Sequence, residues 1–160
     1  MEKTLAAPPS PFLEARSDMA EQRQEIPKPL PQVTPLTQTF WEETARRRLV
    51  IQRCQACGSF VWCPRPHCGE CGDERLEWTP VSGRGSVYSF TVIREAAGRG
   101  TKGFDKDIPY VVAWIDLDEG PRLVSNVVQC PVEKVAIGMA VEVVFEEAGP
   151  GIFLPKFRPR

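Results

Sequence analysis

The stretch Cys54-Gln55-Ala56-Cys57 is separated by ten residues from a second pair, Cys68-Gly69-Glu70-Cys71. Two Cys-x-x-Cys pairs this close along the chain are typical of a four-thiolate metal site. Zinc binds four such sulfurs as a tetrahedron at about 2.3 Å, and a closed shell leaves no open position for a substrate water. We therefore expect a structural zinc rather than a catalytic one, with four ligands: Cys54, Cys57, Cys68 and Cys71.

The distribution of the cysteines favours metal over disulfides. Five of the six cysteines fall within residues 54–71, and only Cys130 lies far away. A disulfide framework would spread them along the chain, and metal-binding thiols suit a reducing, cytoplasmic location. Cys63 and His67 belong to neither pair, so we place both outside the shell. An iron–sulfur cluster also uses four cysteines, but the sequence shows no second redox site to go with one.

The N-terminal part of the chain is rich in proline. Residues 1–35 contain seven of the sixteen prolines, and proline lacks the backbone N–H that helices and sheets require. This composition predicts an extended arm over residues 1–36. A short helix around Phe12 to Gln24 is the alternative, because apolar residues recur there at near-helical spacing.

A helix is predicted to follow the arm, beginning at Thr37, reaching about Val50 and lying within a segment 37–53. Thr37 or Thr39 can cap its N-terminus. The helix dipole favours acidic residues near the start and basic residues near the end, and the sequence has acidic residues near the start and Arg46-Arg47-Arg48 near the end. We expect these three arginines to be solvated.

The rest of the chain has the period of two that is typical of β-strands. Within a zinc ribbon over residues 54–80, Phe60–Trp62 and Leu76–Trp78 are expected to form strands. Beyond it, β-branched and aromatic residues predict five more strands: Gly85–Ile93, Tyr110–Leu117, Arg122–Val128, Val141–Phe145 and Ile152–Phe157. Asp118-Glu119-Gly120-Pro121 predicts a hairpin turn between two of them. Five short strands without room for crossover helices indicate an OB-fold barrel over residues 81–160.

The fold class expected from these patterns is mainly β, with an N-terminal helix, a rubredoxin-like zinc ribbon and a five-stranded OB-fold barrel. The net charge is −1, so the chain lacks the general basic character of a nucleic-acid-binding protein. No apolar run is long enough to cross a membrane, and the N-terminus has no signal-peptide pattern. With one histidine, no Ser-His-Asp set and no phosphate-binding glycine loop, the sequence shows no catalytic site. We interpret Cys130 as a bystander.

Several motifs together resemble the DUF35 family over about residues 37–160. They are Phe40-Trp41-Glu42, Gln52-Arg53-Cys54-x-x-Cys57-Gly58, Pro64-Arg65, Cys68-x-x-Cys71-Gly72, Glu77-Trp78, Ser82-Gly83-x-Gly85-x-Val87-Tyr88-Ser89-Phe90-Thr91, Pro109-Tyr110, Leu117-Asp118-Glu119-Gly120 and Gly138-Met139-x-Val141-x-Val143. Members of that family pair a rubredoxin-like ribbon with an OB fold and form complexes with thiolases, related synthases, acyltransferases and steroid side-chain aldolases. Cys63, His67 and the long arm depart from the commonest family pattern and leave the particular partner open.

The resemblance implies a non-catalytic subunit of a thiolase-type complex, a hetero-oligomer with two copies of each chain. The complex would cleave or form a C–C bond of a β-ketoacyl-CoA, by thiolysis or by a retro-Claisen or aldol reaction, and this chain would help to hold the coenzyme A part of the substrate. The segment Arg94–Ile108 offers cations, glycines and Phe104 between the first two barrel strands, where OB folds often bind. We expect Arg65, Lys102 and Phe104 to contact coenzyme A or the partner. A loop with merely solvated charges is the other interpretation.

Two other functions stay open. A ribbon with an OB fold could bind single-stranded nucleic acid, although the balanced charge disfavours it. The chain could also act alone, as an acyl-CoA-binding protein or an enzyme. Three apolar residues, Phe40, Trp41 and Phe153, are expected to be exposed and to form an interface.

Overall fold

The computed structural model of the chain describes residues 28–95 and 103–160. The predicted alternative helix at Phe12 to Gln24 lies outside these ranges. The described elements are a helix (Gln38–Ala45) and eight strands: β1 (Val50–Cys54), β2 (Phe60–Val61), β3 (Leu76–Pro80), β4 (Arg84–Ile93), β5 (Tyr110–Leu117), β6 (Arg122–Val127), β7 (Ala140–Gly149) and β8 (Ile152–Pro159). Short 3-10 turns occupy Asp105–Asp107 and Val132–Lys134. Within the described ranges, no helix has the length and apolar character needed to cross a membrane.

The helix is shorter than predicted. It ends at Ala45, and the segment expected to continue it to Val50 instead turns and enters β1. Arg47 adopts a positive φ of 61°, its N–H donates to the Thr44 carbonyl, and the N–H of Arg48 donates to the Glu43 carbonyl. These two bonds form a Schellman motif, which ends a helix. The first turn, which begins at Gln38, contains no acidic residue, and the arginines expected near the helix end lie at and beyond its C-cap, Arg46, rather than in its last turn.

The start of the helix also differs from the expected cap. Thr37 occupies the N-cap position, but its hydroxyl makes no capping bond to the first turn. It instead accepts a hydrogen bond from the Thr34 N–H at 3.0 Å. The threonine therefore stabilises the turn that leads into the helix.

The ribbon is a three-stranded antiparallel sheet in the order β2-β1-β3. Gln52 at the centre of β1 pairs with Val61 of β2 on one side and with Trp78 of β3 on the other. Val50, Ile51, Gln52 and Cys54 of the central strand are buried. β1 is therefore a strand that is covered on both faces. A short run of apolar residues in the sequence does not distinguish such a buried strand from the end of a helix.

The five-stranded barrel predicted from the sequence is confirmed, and it is closed in the order β4-β5-β6-β8-β7. Neighbouring strands are antiparallel except for β6 and β8, which pair in parallel through Val127 and Phe157. Gly85 pairs both with Leu117 of β5 and with Val141 of β7, so the start of β4 completes the ring. The predicted turn after Leu117 joins β5 and β6 as expected, with Gly120 at a φ of 109°.

One hydrophobic core joins the barrel to the helix and to β1. The barrel contributes alternate inward residues such as Ile115 and Phe157, both fully buried, and β1 contributes Ile51. Phe40 of the helix is only 4% exposed and belongs to this core. The expectation that Phe40 is an exposed interface residue is therefore wrong.

Aromatic packing explains the burial of Phe40. Its ring centroid lies 4.9 Å from that of Trp41, 5.3 Å from that of Trp62 and 6.3 Å from that of Trp78. Trp62 and Trp78 belong to the ribbon, so this aromatic cluster attaches the helix to the ribbon. Trp41 and Phe153, also expected at an interface, are both partly buried.

Candidate metal centre and binding surfaces

The two Cys-x-x-Cys pairs form matching knuckles. In each, the glycine after the second cysteine donates its N–H to the carbonyl of the first, at 2.9 Å for Gly58 to Cys54 and 3.0 Å for Gly72 to Cys68. Both glycines have φ near +77°, a conformation that other residues rarely adopt. These turns direct the thiols of both knuckles toward one point.

All four predicted ligands lie together. The sulfurs of Cys54, Cys57, Cys68 and Cys71 lie within 4.8 Å of one another, with 3.5 Å from Cys54 Sγ to Cys71 Sγ and 3.7 Å from Cys57 Sγ to Cys68 Sγ. A tetrahedral zinc with bonds of about 2.3 Å separates its sulfurs by about 3.8 Å. The donor set and its spacing therefore fit zinc.

The local electrostatics also favour a cation at this point. Hydrogen bonds from Ser59 lower the pKa of Cys57 to about 6. The backbone N–H of Asp73 favours the Cys71 thiolate, but the three neighbouring thiols outweigh it and raise the pKa of Cys71 to about 12. Thiols this close resist simultaneous ionisation, and a divalent metal ion would supply the positive charge that allows all four to bind as thiolates.

The remaining cysteines and the histidine lie outside the sulfur cluster. Cys63 and His67 are exposed, and neither belongs to the four-sulfur group found among the described residues. Cys130 lies beyond the end of β6, where its thiol contacts the Pro131 carbonyl at 3.4 Å.

The residues predicted to contact coenzyme A lie in separate parts of the molecule. Arg65 is exposed on the ribbon, where its backbone N–H donates to the buried Gln52 side chain at 2.8 Å. Phe104 precedes β5, and its ring centroid lies 6.2 Å from that of Tyr110. Lys102 lies outside the described residues. A role for these three in binding coenzyme A stays a prediction.

Residues 28–30 of the arm contact the barrel beside Phe104, a contact that the sequence did not indicate. Lys28 forms an ion pair with Asp107 and lies 5.6 Å from the Phe104 ring centroid. Leu30 packs over Gly149 at the turn between β7 and β8. The arm therefore contacts the barrel at two places, the described segment before β5 and the end of β7.

An apolar surface on the outside of the barrel was also missed by the sequence reasoning. We call it the outer face, and it consists of Tyr88 on β4, Trp114 on β5 and Val124 on β6, with Asp116 and Arg122 beside them. A signal was present in the sequence: Val111, Ala113, Ile115 and Leu117 point inward, so the alternation of β5 places Trp114 outward.

The comparisons with known proteins match both modules. Residues 41–77 match the family model described as the ChsH2 rubredoxin-like zinc ribbon domain, and residues 78–146 match that of the ChsH2 C-terminal OB-fold domain. A DUF35 domain-containing scaffold protein of Methanocaldococcus jannaschii is 36% identical over 127 residues, which cover 74% of this chain and 87% of that protein. The chain belongs to the DUF35 family of ribbon and OB-fold proteins, as its motifs predicted.

Two further similar proteins have names that state an activity. A probable enoyl-CoA hydratase alpha subunit of Thermomonospora curvata is 38% identical over 149 residues, which cover 92% of this chain but only 45% of that subunit, so the chain spans about half of it. A solved structure described as an Ltp2-ChsH2(DUF35) aldolase contains a chain that is 38% identical, with a TM-score of 0.70. That match covers 81% of this chain and 98% of the other.

Proposed function

We propose that this chain is a non-catalytic, zinc-binding accessory subunit of a thiolase-type complex that acts on a β-ketoacyl-CoA in the cytoplasm. The observation that carries the proposal is the similarity to the DUF35 chain of the Ltp2-ChsH2(DUF35) aldolase, which extends over nearly all of that chain. An aldolase breaks or forms a C–C bond, as thiolysis of a β-ketoacyl-CoA also does, although only thiolysis transfers an acyl group to coenzyme A. The similarity to a scaffold protein supports the accessory role.

The amino-acid content of the chain supports the proposal that the reacting side chains belong to the partner. A thiolase reaction requires an activated cysteine with a histidine nearby. The single histidine, His67, is exposed and directly precedes Cys68 of the sulfur cluster. The four clustered thiols hold a structural zinc in this proposal, which closes the shell against substrate. This chain then contributes binding surface and stability rather than reacting groups.

The proposed complex contains two copies of each chain. Arg65, Lys102 and Phe104 are the residues we propose to touch coenzyme A or the partner, each at its own place on the chain, because a cation can bind a phosphate and an aromatic ring can stack on a base. The arm contact at Lys28 and Asp107 lies beside Phe104, so a ligand at this end of the barrel would meet the arm as well.

The test is co-expression of this chain with the product of the neighbouring gene, which the proposal expects to be a thiolase-fold protein, followed by size-exclusion chromatography and a C–C bond cleavage assay on β-ketoacyl-CoA substrates. We expect co-elution and activity only when both proteins are present. Turnover by this chain alone would contradict the accessory role, and separate elution of the two proteins would contradict the complex.

The two other functions predict different results. An acyl-CoA-binding protein that acts alone would bind coenzyme A with full affinity in calorimetry without a partner. A single-stranded nucleic-acid-binding protein would retain an oligonucleotide in a salt-dependent manner. We expect neither.

A further inference from the structure

The outer face lies on the outside of the barrel, across strands β4, β5 and β6. Tyr88, Trp114 and Val124 are 52%, 50% and 48% exposed. Trp114 and Val124 are directly opposed in the pairing of β5 with β6. Tyr88 lies at the bulge of β4 between Val87 and Ser89, where Ser89 pairs with Trp114. Trp114 and Val124 are therefore cross-strand neighbours, and Tyr88 projects from the next strand beside the residue that pairs with Trp114.

A fixed arginine borders this apolar surface. The guanidinium of Arg122 lies 3.3 Å from the Tyr88 ring centroid, and its Nε and Nη2 both donate to the carboxylate of Asp116. A side chain held by two hydrogen bonds and a ring loses little conformational freedom when a partner covers it. Trp, Tyr and Arg are also the residues that dominate binding energy in protein interfaces.

The charge of the outer face favours a protein partner over a nucleic acid. Asp116 and Arg122 neutralise each other through their hydrogen bonds. A single-stranded nucleic acid would require unpaired cations next to the stacking aromatics, whereas a neutral aromatic surface complements an uncharged apolar patch on a protein. The strands beneath are hydrogen-bonded within a closed barrel, so the partner would dock through side chains rather than by adding a strand.

We propose that the outer face is the docking surface for the thiolase-fold partner, with Trp114 as its central anchor and Tyr88, Val124 and Arg122 around it. The proposal rests on the proposed function, which supplies the partner. It adds which side of this chain faces that partner: the outer surface of β4, β5 and β6.

Fluorine labelling tests the proposal in the intact protein. The chain has four tryptophans, so incorporation of 5-fluorotryptophan gives four resonances, and Trp114→Phe identifies the one from Trp114. On titration with the unlabelled thiolase-fold protein that co-elutes with this chain, we expect the Trp114 resonance to shift or broaden most. Trp41, Trp62 and Trp78 pack against the core and are expected to change less.

Affinity measurements provide the second readout. Trp114→Ala and Val124→Asp are expected to raise the Kd for the partner at least tenfold, because truncation of a central anchor and burial of a new charge both oppose docking. The matched control is Ile137→Ser on the loop between β6 and β7, since Ile137 is 72% exposed and lies off the outer face. Unchanged thermal midpoints would show that all three variants remain folded.

The outcomes separate this proposal from the proposed function. If the wild-type chain binds no thiolase-fold protein, the proposed function fails. If it binds but the Trp114 resonance and the two affinities stay unchanged, only the docking surface is wrong. If the free chain forms a dimer that dissociates in Trp114→Ala without loss of partner affinity, the outer face binds a second copy and the proposal is overturned. If oligo(dT) shifts the Trp114 resonance, the outer face binds nucleic acid and the proposal is likewise overturned.

Discussion

At the scale of single residues, Arg47 shows how one side chain connects the helix to the barrel. It adopts a positive φ at the position after a helix where glycine is usual. Its Nη1 donates to the Phe145 carbonyl of β7 at 2.9 Å, and its guanidinium lies 3.7 Å from the Phe153 ring centroid of β8. The sequence predicted a solvated arginine here, and Arg47 is indeed exposed, but its two contacts with the barrel were not predicted. The observed contacts offset the backbone strain.

We expect Arg47→Ala to lower the free energy of unfolding by about 1 to 2 kcal/mol, because it keeps the strained backbone and removes both contacts. Arg47→Gly should be less destabilising by about 1 kcal/mol, since glycine adopts this φ without strain. Urea unfolding measures both changes. Arg46→Ala is the control, because Arg46 only pairs with Glu43 on the surface. Equal stability of the alanine and glycine variants would contradict this account.

The six cysteines provide a second prediction at this scale. Cys54→Ser is expected to reduce bound zinc from one per chain to a small fraction and to unfold the ribbon, since metal binding and folding are coupled in such sites. Cys63→Ser is the matched control and should retain one zinc per chain, because Cys63 lies outside the sulfur cluster. Elemental analysis with circular dichroism reads out both variants. Full zinc content in Cys54→Ser would disprove the ligand assignment.

At the scale of elements, the closure of the barrel depends on close contact between β4 and β5. A Cβ at Gly85 would overlap the Asp116 carbonyl oxygen and lie 3.0 Å from its carbon. Because that neighbour is backbone in a paired strand, it has little freedom to move. A side chain at this position therefore opposes the pairing by which β4 completes the ring.

We expect Gly85→Ala to destabilise the chain by about 1 to 3 kcal/mol through overpacking. The matched control is Gly69→Ala in the second knuckle, where the nearest side-chain atom lies 3.8 Å from the added Cβ and φ is not positive. Thermal or urea unfolding distinguishes the two variants. Similar stabilities would show that the barrel adjusts at Gly85 without cost.

At the scale of the whole molecule, the buried apolar residues that the structure describes form two separate clusters. One joins the barrel, the helix and the start of β1, whereas a small one contains Cys54, Val61 and Cys68 beside Leu76. Only the small cluster includes metal-binding candidates. The stability of the barrel should therefore depend less on metal than that of the ribbon.

Chelation of the metal tests this division. We expect the backbone amides of residues 54–76 to exchange hydrogen much faster after zinc removal, while those of β5 and β6 keep most of their protection. Hydrogen exchange measured by mass spectrometry reads out both regions, and re-addition of zinc should restore the ribbon. Uniform loss of protection would show that the two clusters unfold as one unit.

Local sequence patterns determined the metal-binding knuckles and the positions of the barrel strands. The Cys-x-x-Cys-Gly pairs specify the knuckles because only glycine readily takes the positive φ after each second cysteine, and alternation specifies the barrel strands because side chains alternate between the two faces. These signals depend on neighbours along the chain. They are also the motifs by which the chain was identified as a DUF35 member.

Only the tertiary structure decided how these parts meet. The segment before Cys54 pairs with β2 and β3 as a strand rather than continuing the helix, because hydrogen bonds from distant residues outweigh its local pattern. Phe40 is buried by tryptophans from the ribbon, and Trp114 stays exposed because no described element covers β5 from outside. Burial depends on contacts between residues far apart in sequence. The sequence by itself therefore identified the family, the four cysteines and the barrel, while the three-dimensional arrangement decided which aromatic residues remain for a partner.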